Sequence, residues 1–206
     1  MYFGDIWITE RHTGKMEMMC SVSTCRNCNK RCMRNAAQKG SICEKCYAKR
    51  QMEMYKDLRT HLEDNFNILT KRVLAMEDLP LLNSALFRIE SFGDIANTTQ
   101  ALNYIHLIKK NPHVHFGWWT KNCDILAKAI EIAGGKPDNV QIIRSSMWIN
   151  KPCKPYYNFV DKTFTVYEKG YAEENGIKIN CGGRKCIECR KCYLPNDIKE
   201  INEMMK

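Results

Sequence analysis

Near its end the chain carries Cys181-x4-Cys186-x2-Cys189-x2-Cys192, four thiols within twelve positions. Thiols packed this closely constrain the local fold more than any apolar pattern does, because they must either cross-link or hold metal. Met1 to Glu10 lack a basic stretch followed by an apolar run, so no secretory signal peptide is expected there. No stretch approaches the roughly 18 apolar residues of a membrane span, so no membrane partner is expected either. The expected setting is the reducing cytoplasm, where disulfides rarely persist and no disulfide-linked partner is foreseen. Twelve cysteines in that compartment point to metal ligation.

The identity of the metal depends on spacing. Structural zinc usually draws its thiolates from two separated pairs. Three ligands at successive two-residue gaps are closer to the cubane runs of ferredoxins, and the first gap echoes the plant-type C-x4-C-x2-C spacing. Iron–sulfur is therefore favoured for Cys181, Cys186, Cys189 and Cys192. The N-terminal group, Cys20, Cys25, Cys28, Cys32, Cys43 and Cys46, supports two readings. Cys25-x2-Cys28 and Cys43-x2-Cys46, fourteen residues apart, fit a zinc ribbon or treble clef. Alternatively, three of these cysteines bind a 4Fe-4S cluster and leave one iron open to a ligand. Cys123 and Cys153 read as ordinary helix and loop residues.

The formal charge of +9 gathers around both cysteine groups, through residues such as Arg26, Lys30, Arg31 and Arg34, then Arg184, Lys185, Arg190 and Lys191. Such patches suit a nucleic-acid or host-protein surface. They equally suit the neutralisation of thiolates.

Between the cysteine groups the pattern is that of an α/β protein. Tyr55, Leu58, Leu62, Phe66, Leu69 and Val73 recur at helical steps, predicting an amphipathic helix that ends before Pro80. Leu86–Ile89, Val114–Trp118 and Val140–Ile143 read as strands, with one or two more near residues 157–168. Helices are expected from Thr98 or Thr99, as cap, through Ile108, and from Cys123 to Ala133 before Gly134-Gly135. This alternation predicts a parallel sheet with a partial (β/α) barrel-like form. The chain divides into a cysteine-rich metal-binding segment (1–50), an α/β core (51–170) and a terminal cysteine segment (171–206).

Parallel α/β folds bind ligands at the carboxyl ends of their strands. Those ends run into Glu90, Ser91, Gly93 and Asp94, into Thr120 and Lys121, and into Arg144, Ser145 and Ser146. Together they would form a pocket, with Gly93, Asp94, Thr120, Lys121 and Ser145 toward a cofactor. Asp94, Lys121, Arg144 and Ser145 are the catalytic candidates. Taken singly, Asp94 and Thr120 also sit where helix caps belong, and Arg144 could pair with Asp94 or Glu90. His113 and His115 would share a strand face, and Trp118-Trp119 would fill core or stack on a base.

Several of these strings together resemble a known family. Thr24-Cys25, Cys32, Cys46-Tyr47-Ala48, Phe87-Arg88 with Gly93-Asp94, Pro112-x-Val114-x-Phe116 before Thr120-Lys121, Ile142-Ile143-Arg144-Ser145 and Cys186-x2-Cys189-x2-Cys192-Tyr193 resemble the phage and mobile-element family called gene product 88. The match runs from about Val22 to Tyr193, with Cys28 and Cys43 additional to its pattern and Phe92 in place of a small residue. It implies a phage-related setting, in the cytoplasm of a bacterial host, and no particular reaction. More distantly, Cys-Tyr-Ala, Gly-Asp and Thr-Lys look like radical-SAM-like phage proteins. That likeness implies a 4Fe-4S cluster on Cys32, Cys46 and either Cys25 or Cys43. Asp94, Lys121 and Ser145 would face S-adenosylmethionine, although the usual three-cysteine spacing and a Gly-Gly-Glu run are lacking. The expected protein is thus an iron–sulfur protein with one or two clusters and radical or redox chemistry. The alternative is a zinc-binding, non-enzymatic module for nucleic acid or a host protein.

Overall fold

The computed structural model describes residues 1–205. The chain opens with β1 (Tyr2–Phe3), β2 (Ile6–Thr9) and β3 (Cys20–Val22), then α1 (Lys30–Ala36), α2 (Tyr47–Met54) and α3 (Lys56–Lys71). Alternation follows: β4 (Leu86–Ile89), α4 (Thr98–Lys110), β5 (His115–Thr120), α5 (Cys123–Ile132) and β6 (Val140–Ser145). The chain closes with β7 (Lys162–Tyr167), α6 (Lys169–Glu174), α7 (Cys186–Cys189) and β8 (Glu200–Met204). All eight strands join one sheet in sequence order. β1–β2 and β2–β3 are antiparallel, and every later pairing is parallel. The α/β class with a mainly parallel sheet is therefore established.

Both faces of the central strands are covered, which is why β5 and β6 read as near-continuous apolar runs. Phe87, Ile89, Phe116, Trp118, Val140 and Ile142 point to one face and pack with Tyr104, Ile105 and Leu126 of α4 and α5. Leu86, Trp119 and Ile143 point to the other, where Met19 and Tyr193 cover them. Each of these fully buried side chains stabilises the fold by about 1.5–3 kcal/mol. The helices thus hold one face and the terminal cysteine segment holds the other.

Asn65 ties the first strands to this frame. Its amide accepts from the Trp7 N–H at 2.7 Å and donates to the carbonyls of Trp7 and Ser23, both at 2.8 Å. It is fully buried in α3, so the antiparallel strands and the parallel sheet are joined by one satisfied polar group.

Several expectations are corrected here. The 55–73 helix is shorter at both ends, and Tyr55 and Val73, read as apolar contacts, are exposed. Asn97 caps α4, its side chain accepting from the Gln100 N–H, so neither Thr98 nor Thr99 is the cap. β5 begins at His115, which leaves His113 outside the strand bonding the Leu82 carbonyl at 2.8 Å, while His115 is exposed. Residues 157–168 yield one strand, β7. β8 was not expected: Glu-Ile-Asn-Glu-Met has one buried residue, Ile201, and its place is fixed by pairing to β7. No helix among the described residues is long and apolar enough to cross a membrane.

Candidate functional site

The carboxyl ends of β4 and β5 are stitched together by Asp94. Its Oδ1 accepts from the Thr120 hydroxyl at 2.7 Å and from the Ile95 N–H at 2.9 Å, and its Oδ2 accepts from the Lys121 N–H at 2.9 Å. Burial raises its pKa against the pull of Lys121 and these donors. Thr120 in turn accepts from the Asn122 N–H at 2.9 Å. Asp94 and Thr120 are therefore braces between strand ends and not helix caps; the cap positions are Asn97 and Asn122.

Gly93 is a packing requirement. A Cβ there would lie 2.7 Å from Glu90 Oε2 and 2.8 Å from the Thr24 carbonyl. Glu90, with φ of 54°, occupies the left-handed region sparsely used by non-glycine residues. Four hydrogen bonds hold it there: from the Thr24 N–H and hydroxyl, the Gln100 amide and the Tyr104 hydroxyl. Burial pushes its pKa up to about 7 in spite of those donors. Sequence reading missed this network, because Thr24, Glu90, Gln100 and Tyr104 come from three segments that no local pattern joins.

The N-terminal cysteines fall into two neighbourhoods. Cys25, Cys28 and Glu63 bring their ligand atoms within 4.8 Å of one another, the one such group among the described residues. Cys25 is fully buried beside Met52 and Leu62. Cys32, Cys43 and Cys46 instead lie near enough to Lys121 for their charges to act on it. Burial pulls the Lys121 ammonium down, but Cys43, Asp94, Cys32 and Cys46 outweigh it and hold the pKa above its usual value. Burial raises Cys32 and Cys43, while Lys121 draws both back. Asn29 separates the two neighbourhoods: it caps α1 by accepting from the Arg31 and Cys32 N–H groups and donates to the Asp94 carbonyl at 2.7 Å. Cys20 lies on β3, partly buried against the main core.

Two of the four terminal cysteines lie over the sheet face opposite the helices. Cys186 and Cys192 pack with Tyr193 against Met19, Leu86 and Trp119. Gly117 makes this possible, since a Cβ there would meet the Tyr193 and Trp119 rings at 2.7 Å. Lys15 donates to Cys181 Sγ at 3.7 Å and pairs with Glu203 on β8. Burial pushes Cys192 up to about 12, with Cys181 adding to the rise and Arg88 opposing it. The Arg88 guanidinium lies 3.4 Å from the Trp119 ring centre, and its Nε is buried without a hydrogen-bond partner. Nearby, His12, Ser21, Ser23 and Ser91 form a chain of hydroxyl and imidazole contacts of 2.8–3.0 Å. Burial and Arg88 lower His12 to about 4, so it is neutral at pH 7.

The sequence profile of gene product 88 matches residues 7–199. The chain belongs to the gene product 88 family. No curated protein and no solved structure matches it. In this gene product 88 protein the quoted family strings converge in space: Thr24 on Glu90, Tyr47 on the Ser91 carbonyl, and Gly93-Asp94 on Thr120-Lys121.

Arg144 and Ser145 make no hydrogen bond to Asp94 among the described residues. Arg144 donates to the Lys154 carbonyl at 2.6 Å and stacks 4.3 Å from the Tyr156 ring, which corrects the expected pairing with Asp94 or Glu90. With Lys121 and the buried Ser145 it lines a cleft of about 470 Å³ at the ends of β5 and β6. Trp118 meets Tyr104 edge-on in the helix-covered core, and Trp119 lies under Tyr193, so neither is free to stack on a base. Cys123 is buried core. Cys153 lines the cleft and contacts the Arg144 carbonyl at 3.4 Å.

Proposed function

We propose that this gene product 88 protein is an iron–sulfur protein. A 4Fe-4S cluster would be held by Cys32, Cys43 and Cys46, and a second by Cys181, Cys186, Cys189 and Cys192. The observation that carries the reading is the bridge made by Asn29, which accepts from the Cys32 N–H and donates to the Asp94 carbonyl and so brings Cys32 to the carboxyl ends of the parallel strands, where α/β folds place their ligands. The sequence spacing of the terminal quartet, with three ligands at successive two-residue gaps, supports iron over zinc there.

When bound, such a cluster would supply one-electron redox chemistry, and with three protein thiolates an iron open to a ligand such as S-adenosylmethionine. The residues of this chain would do the rest. Lys121 would offset thiolate charge at the first centre, with Asp94 fixing its backbone. Arg88 and Lys15 would do the same at the second. Parallel strands in unbroken sequence order from β3 to β8 are the arrangement of a (β/α) barrel, which supports a partial-barrel pocket between the two centres.

A second reading rests on the 4.8 Å grouping of Cys25, Cys28 and Glu63, which favours a single divalent ion such as zinc at that point. The test is iron, sulfide and zinc content after anaerobic purification. Iron and sulfide in equal amounts, with separate losses in Cys32→Ala and Cys186→Ala, are expected. Zinc as the sole metal would overturn the iron–sulfur reading. Deoxyadenosine release from S-adenosylmethionine by the reduced protein would then identify an enzyme.

A further inference from the structure

The cleft at the ends of β5 and β6 is lined by Arg31, Arg34, Lys121, Arg144, Lys151 and Lys154, and by no carboxylate. Lys121 is already answered by Asp94 and the nearby cysteines, but the other five cations of this lining repel each other unless an anion lies among them. One guanidinium nitrogen of Arg31, Nη1, is buried without a hydrogen-bond partner. Such an orphaned charged donor signals a missing acceptor. Trp148 and Tyr156 also line the cleft, with 38% and 72% of their surfaces exposed. Exposed aromatics at a basic cleft suit stacking. Arg144 already lies against Tyr156 and orients the ring.

The cleft walls are fixed before any ligand arrives. The loop after β6 is bonded to the segment after α1, through Ile42 N–H to the Met147 carbonyl at 2.9 Å and a Ser41–Trp148 bridge. The Ser146 hydroxyl donates within that loop, to the Trp148 carbonyl at 3.0 Å. These bonds tie the segment after α1 to the loop that carries Lys151 and Lys154, and Arg31 and Arg34 line the same cleft as those lysines.

We propose that this cleft binds single-stranded nucleic acid, its cations contacting successive phosphates while Trp148 and Tyr156 stack on bases. Cations spread along an open cleft fit a run of phosphates better than one anion, and unpaired bases alone present their faces to aromatic rings. This binding is independent of which metal the cysteines hold.

The test uses the full chain, purified anaerobically with its native metal, and a labelled single-stranded oligonucleotide followed by fluorescence anisotropy. With about four phosphates engaged, affinity should fall on the order of fiftyfold between about 50 and 200 mM salt. Tyr156→Ala or Trp148→Ala should weaken binding about tenfold at unchanged salt slope, as loss of a stacked base does. Lys151→Ala and Lys154→Ala should each reduce the slope by about 0.7, the value for one phosphate of a single strand. Lys71→Ala and Lys128→Ala, exposed and outside the cleft, should change neither. Three results would overturn the proposal. They are equal affinity for a duplex with no effect of the aromatic variants, equal competition by inorganic phosphate or a mononucleotide, and absence of binding at low salt.

Discussion

The two cysteine-rich ends solve the same problem differently. At the C-terminal end Cys186 and Cys192 pack with Tyr193 onto one face of the sheet, and Cys181 is met by Lys15. At the N-terminal end comparably close cysteines part: Cys28 turns to Cys25 and Glu63, while Cys32 turns to Lys121. The divider is Asn29, which caps α1 and binds the Asp94 carbonyl. Spacing along the chain sets which thiols can meet, and a buried polar anchor decides which do.

The sharpest way to break the contrast is to remove the C-terminal anchor. Tyr193→Ala should cost about 3 to 5 kcal/mol, the usual range for deleting a buried aromatic, measured by urea unfolding. On the proposed iron–sulfur reading it should also lower the iron bound by the C-terminal quartet and leave that bound by the N-terminal cysteines in place. Equal loss at both ends would mean that the two are one unit.

On the N-terminal side the anchor is ionisable. Glu90 holds Thr24, and its pKa is raised by burial from 4.5 to about 7. Below pH 4.5 both folded and unfolded forms are protonated. Between pH 4.5 and 7 the unfolded chain loses the proton first, so stability falls with rising pH, by up to about 3 kcal/mol. Above pH 7 the contribution is constant. Glu90→Gln should abolish that slope in denaturation curves taken from pH 4.5 to 8; an unchanged slope would assign it to other groups.

A smaller effect is expected at the divider. Asn29→Ala should cost about 2 kcal/mol through the lost cap and the unpaired Asp94 carbonyl. On the iron–sulfur reading, iron bound at Cys32, Cys43 and Cys46 should drop; on the zinc reading, an ion at Cys25, Cys28 and Glu63 should persist, as read by metal analysis. Lys15→Met should matter least. Its pair with Glu203 is partly exposed, so a loss of under about 1 kcal/mol in thermal unfolding is expected.

The α/β alternation between residues 86 and 145 was legible because each element is long and strongly periodic, and Leu86–Ile89 emerged with the expected bounds. β8 was not, since a polar edge strand carries almost no apolar signal. Asp94, Thr120 and Lys121 were correctly placed together from the rule of strand ends, although Asp94 is spent on bracing. The basic cleft was only half visible: Arg144 and Ser145 stood out, but Arg31, Arg34, Lys151 and Lys154 come from segments more than a hundred residues apart in sequence.

By itself, then, the sequence determined the abundance of thiols, their local spacing, the parallel α/β core and the family to which the chain belongs. These depend on residues near one another along the chain. Tertiary structure alone decided that Cys25 and Cys28 part from Cys32, Cys43 and Cys46, that Tyr193 seals the sheet against Gly117, and that six cations share one cleft. Each of those is a matter of which side chains a buried hydrogen bond or a close ring contact brings together, and no local pattern encodes that.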